Sequence, residues 1–119
     1  KCDPATRCPV LYFKDAARAL VDLSAADSAR VQTRIYNVAG ISPAFSALDL
    51  VEIIRERIPA ARLTFEPDPV VVELLRELGT LKINDDRARA EWGLRIAYPL
   101  KAMVEDFISE IEAHRNYYP

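Results

Sequence analysis

One histidine, two cysteines and five tyrosines are the residues here best suited to catalysis or metal binding. Their positions exclude most of that chemistry. Cys2 and Cys8 both fall within the first eight residues, where a disulfide would close a very short loop and brace little. Free thiols are the expectation. His114 lies at the far end of the chain, so no spacing resembles a zinc site, and neither a Ser-His-Asp nor a Cys-His arrangement can be assembled. No tyrosine has a lysine four residues on, which removes the helical phenol–ammonium pair that could serve as a general base. The three glycines, at positions 40, 79 and 93, are too scattered to form a loop that cradles a pyrophosphate. No catalytic, cofactor-binding or metal-ligating residue is therefore expected in this chain.

The elements read as one α/β unit over residues 1–119. Half the residues are apolar and 29% are charged, which suits a packed core under a solvated surface. Val10 to Phe13, Arg34 to Val38 and Arg62 to Phe65 are strand candidates by their apolar and aromatic runs. Leu81-Lys82-Ile83 is a short extended segment. Asp15 is placed to cap a first helix that fades near Ser24. Ser46 with Asp49 resembles a capping box for a second, which Pro59 stops. Val70 to Leu78 is a third helix, ended by Gly79. Asn84 or Asp85 caps a fourth, which runs through Trp92 and stops at Gly93. Pro99 opens the last, whose apolar residues Leu100, Met103, Val104, Phe107, Ile108 and Ile111 recur at helical spacing. Strands alternating with helices predict a small parallel-stranded sheet with packed helices.

The net charge of −2 argues against a nucleic-acid partner, which needs a basic face. No apolar run approaches the roughly 20 residues that span a bilayer. The reading is a soluble, cytoplasmic protein with no membrane partner. Lys1 to Pro9 has no initiator Met and no pattern of its own, as expected of a piece cut from a larger protein.

Several runs together resemble a known family. Arg7-Cys8-Pro9-Val10-Leu11-Tyr12-Phe13 followed by Lys14-Asp15-Ala16-Ala17-Arg18-Ala19 is similar to a strand-to-helix junction of the extended short-chain dehydrogenases, the NAD-dependent epimerase/dehydratase family. Tyr36-Asn37-Val38-Ala39-Gly40 is similar to a strand end of theirs. Glu66-Pro67-Asp68, Ile83-Asn84-Asp85, Ala88-Arg89, Glu91-Trp92-Gly93, Tyr98, Leu100, Met103 and Asp106-Phe107 are most like the L-threonine dehydrogenase branch. That branch has an Asp-Ser-Trp-Pro stretch where this chain reads Glu77-Leu78-Gly79-Thr80, within a segment about two residues longer. The segment after Gly40 is longer by a similar amount. Both departures fall on the expected substrate side, so the resemblance does not by itself carry threonine as the substrate.

The resemblance implies the C-terminal, substrate-side part of an extended Rossmann-type enzyme. An upstream Rossmann domain of the same protein would hold NAD and the catalytic Tyr and Lys. This part would bind a small-molecule substrate, a secondary alcohol, and would be inactive alone. A homo-oligomer is compatible with it. A nucleotide-sugar epimerase or dehydratase region is the alternative, and a stand-alone interaction module without catalysis is a second. The resemblance singles out Arg7 for substrate binding, since an Arg at this junction faces a substrate phosphate or carboxylate, which its forked donors suit. Asp15 reads as a helix cap, Trp92 as a core anchor, and His114 as a favourable charge in a last helical turn. Asp85, Asp86, Arg87, Arg89 and Glu91 read as a solvated charged face.

Overall fold

The computed structural model describes residues 1–118. Five helices follow one another: α1 (Phe13–Ser24), α2 (Ala47–Arg57), α3 (Pro69–Gly79), α4 (Asp86–Trp92) and α5 (Leu100–Ala113). Most boundaries follow from local chemistry. Ser46 accepts the Asp49 backbone N–H while the Asp49 carboxylate accepts that of Ser46, a complete capping box for α2. Asp68 accepts the Val70 N–H at the start of α3, with Pro69 in its first turn. Gly93 closes α4.

The expected parallel sheet is not found. Among the described residues no strand forms, and the one isolated bridge, between Arg7 and Ser46, is antiparallel. The strand candidates run as single segments, and the candidate ending at Phe13 already enters α1 there. A strand is held by the ladder of a neighbour. Here the first candidate meets only the stretch past the second, through one backbone bond from the Ile41 N–H to the Val10 carbonyl at 2.8 Å. Apolar alternation selects which side chains turn inward; it does not supply the neighbouring strand.

The core lies between α1 and α4. Ala19, Ala88, Trp92 and Leu94 are buried there, with Leu23, Ala26, Tyr36, Val38 and Ile96 packed around them. Full burial of a side chain such as Leu94 contributes about 2 kcal/mol. Trp92 is thus the core anchor that its position suggested, with the Tyr36 ring edge-on at 5.8 Å. Elsewhere α2 packs along α5, and each contributes one buried valine, Val51 and Val104. Tyr12 and Lys14 tie the start of α1 to α5. The Tyr12 hydroxyl donates to Asp106 at 2.6 Å, and the Lys14 ammonium bridges Asp106 and Glu110. Those bonds hold the Asp106 carboxyl below its usual range, Lys14 contributing first and Tyr12 next.

The molecule is open for its size. Its accessible surface is 8725 Å², whereas a folded monomer of 13.4 kDa exposes about 6,500 Å². Its radius of gyration is 16.8 Å, against about 13.5 Å for a closely packed chain of this length. The excess carries apolar side chains. Phe13, Leu20 and Val21 are exposed along one face of α1, and Val70 and Leu74 along α3. No helix among the described residues is long and apolar enough to cross a membrane.

Candidate functional site

Arg7 is held from three sides. Its backbone forms the bridge to Ser46. Its guanidinium donates to the Ala44 carbonyl, pinning the loop between Gly40 and α2. Behind it, the end of α3 comes so close that a Cβ on Gly79 would lie 2.6 Å from the Arg7 carbonyl oxygen. The same crowding recurs at Gly40, where a Cβ would lie 1.9 Å from the Val10 carbonyl oxygen. Only a residue without a side chain fits there. These approaches bring the 40–44 loop and the 79–83 segment together around Arg7.

Between them lies a cleft of about 540 Å³, lined by Arg7, Pro9, residues 39–44 and residues 79–83. That volume lies within the range of small-molecule sites. The lining contains two cations, Arg7 and Lys82, and no carboxylate. Thr80 turns its hydroxyl back to the Glu77 carbonyl and caps α3. Asp49, outside the lining, has its carboxyl held low, first by the Ser46 backbone N–H and then by the Ser46 hydroxyl, with Arg7 a smaller influence. An anionic group is the chemistry this cleft suits.

Two residues read as ordinary from the sequence do different work. Asp15 does not cap α1, because the helix starts two residues earlier and its N-cap, Tyr12, makes no side-chain cap. The Asp15 carboxylate is buried and accepts the backbone N–H groups of Ala97 and Tyr98 at 2.9 and 3.2 Å. It fastens the segment before α5 onto α1. Glu91 is no solvated charge either. It accepts the Gln32 and Thr33 N–H groups and the Thr33 and Tyr36 hydroxyls. Those bonds, that of Tyr36 first, hold its carboxyl down to about 2. Each acceptor meets partners more than 50 residues away in sequence, so no local pattern points to either role. Nearby, Asp85 takes a bidentate bond from Arg89 instead of capping α4. Asn84 makes the turn there, through the Asp86 N–H.

None of the three glycines lies in a turn that could cradle a pyrophosphate. Gly40 and Gly79 are filled against backbone, and Gly93 ends a helix where a pyrophosphate would need one to begin. Cys2 and Cys8 are free thiols, and no metal-binding cluster occurs among the described residues.

No protein-family profile matches the sequence. Individual proteins do. The chain is 26% identical over 106 residues to the mitochondrial L-threonine 3-dehydrogenase of Bos taurus, covering 89% of this chain and 28% of that protein. It is 30% identical over 111 residues to an uncharacterized epimerase/dehydratase of Staphylococcus aureus, covering 92% of this chain and 34% of the relative. The structure superposes on the GalE-like L-threonine dehydrogenase of Cupriavidus necator with a TM-score of 0.75 and 30% identity, over 92% of this chain and 35% of that one.

The chain corresponds to the C-terminal portion of the extended short-chain dehydrogenases that it matches. It spans about a third of the length of the relatives it matches. The helices and single segments superpose on those of the threonine dehydrogenase, although no sheet ladder is present among the described residues. Arg7, the one site residue expected from the sequence, lines the cleft, and Lys82 and the 40–44 loop complete its wall.

Proposed function

We propose that this chain is the substrate-binding part of an NAD-dependent oxidoreductase that acts on a secondary alcohol bearing an anionic group, in the manner of L-threonine dehydrogenase. The observation that carries this reading is Arg7 on a carboxylate-free cleft, in a chain that follows threonine dehydrogenases over most of its length. Arg7 orients the anionic end of the substrate through its forked donors. Hydride transfer and proton abstraction belong to an upstream Rossmann domain, which holds NAD. The exposed apolar face of α1 and the excess surface are consistent with a partner of that size. The isolated chain binds substrate without turning it over.

The decisive measurement is NAD reduction by the longer polypeptide with L-threonine and with hydroxy acids. Arg7→Ala is expected to raise KM about tenfold or more, with less change in kcat, because a charged hydrogen bond to substrate is lost. Turnover by the 119-residue chain alone would sink the reading, as would an unchanged KM in the variant. A nucleotide-sugar epimerase or dehydratase is the second reading, favoured by the Staphylococcus aureus relative. Conversion of a nucleoside-diphosphate sugar, with no oxidation of threonine, would select it.

A further inference from the structure

Among the described residues, Lys82 has no structural partner to account for its place in the cleft wall. It lies in the segment that follows α3 and is exposed, it takes part in no ion pair among the described residues, and it lines the cleft that Arg7 enters. The rest of that lining is apolar side chain, glycine, or the hydroxyls of Ser42 and Thr80, the second of which is engaged by Glu77. The Ala44 carbonyl accepts from the Arg7 guanidinium and keeps it at the same wall.

We infer that Lys82 and Arg7 form a two-cation clamp, and that the cleft therefore selects a ligand group carrying two negative charges over a zwitterionic amino acid. This rests on the substrate-binding reading and narrows it to a substrate class. Two cations on one wall attract a dianion twice over. They repel the ammonium of an amino acid such as threonine, with no carboxylate in the wall to receive it. A phosphomonoester and a dicarboxylate share this chemistry. The phosphate geometry accepts the Arg fork and a Lys point charge together.

The test is binding to the 119-residue chain, followed by calorimetry or by NMR shifts of the 40–44 and 79–83 backbone. The probes are inorganic phosphate, malonate and L-threonine at fixed ionic strength. Phosphate or malonate is expected to bind more tightly than threonine, and the tighter of the two names the source. Lys82→Ala is expected to weaken that probe about fivefold, Lys82→Arg to restore it, and Lys82→Glu to abolish it. Threonine binding changes little in Lys82→Ala. Equal affinity for threonine and both dianions, or unchanged dianion binding in Lys82→Ala, overturns the clamp. Neither result touches the substrate-binding reading, which stands or falls on the KM of Arg7→Ala in the longer enzyme. Lys82 is exposed, so its substitution leaves the fold intact, as circular dichroism will confirm.

Discussion

The Trp92 side of the molecule and the Arg7 side are built on different principles. Around Trp92, apolar burial is reinforced by carboxylates that each collect several backbone donors, as Asp15 does for Ala97 and Tyr98 and Glu91 does for Gln32 and Thr33. Around Arg7 there is little burial, and close backbone approach at Gly40 and Gly79 brings the walls together. The first arrangement fixes positions through satisfied buried groups and tolerates little change. The second leaves polar groups facing an open cleft, where a ligand can reach them. Scaffold and site are thus separated within 119 residues.

Substitutions that break this division should differ in size and kind. The largest loss is expected from Gly40→Ala, because backbone cannot yield to a methyl placed 1.9 Å from a carbonyl oxygen. A stability loss of about 3 kcal/mol or more is expected in chemical denaturation. A variant as stable as the parent would mean that the cleft wall is not set by that contact. Asp15→Ala comes next, at about 3 kcal/mol, since it strands two backbone N–H groups in a part-buried site. Asp15→Asn, which keeps one acceptor, should recover part of the loss; equal losses would point to packing instead.

Glu91→Gln is the gentler break on the scaffold side. The folded-state carboxyl titrates near 2, below its ordinary 4.5. Its bonds therefore favour the fold above about pH 4.5 and are lost as the pH falls towards 2. The melting temperature of the parent should drop across that window, and the drop should be shallower in Glu91→Gln. Parallel curves would remove Glu91 from the account. Arg7→Ala has the smallest expected effect on stability, less than about 1 kcal/mol for an exposed side chain, despite its effect on KM. A large melting shift in that variant would make Arg7 part of the scaffold and dissolve the comparison.

The helices were legible because their signals are local. Ser46 and Asp49 sit three residues apart and cap each other, and Gly93 lies just past the last helical residue of α4. Trp92 was also placed correctly, by its amphipathic position. The sheet is not confirmed among the described residues, because apolar runs at 10–13 and 34–38 look alike with or without a neighbour to bond. Asp15 and Glu91 were misread because an acid near a helix start, or within a charged run, has an ordinary local explanation. Their partners come from the segments before α5 and after α1.

By itself the sequence determined where most helices begin and end, how few and scattered the glycines are, and which family the order of motifs resembles. Those properties depend on neighbours a few residues apart and on counting. Only the tertiary structure decided that Arg7 and Lys82 share one cleft, that Gly40 must lack a side chain, and that two carboxylates serve as anchors. Each of those depends on distances between segments tens of residues apart, and such distances are set by packing of the whole chain.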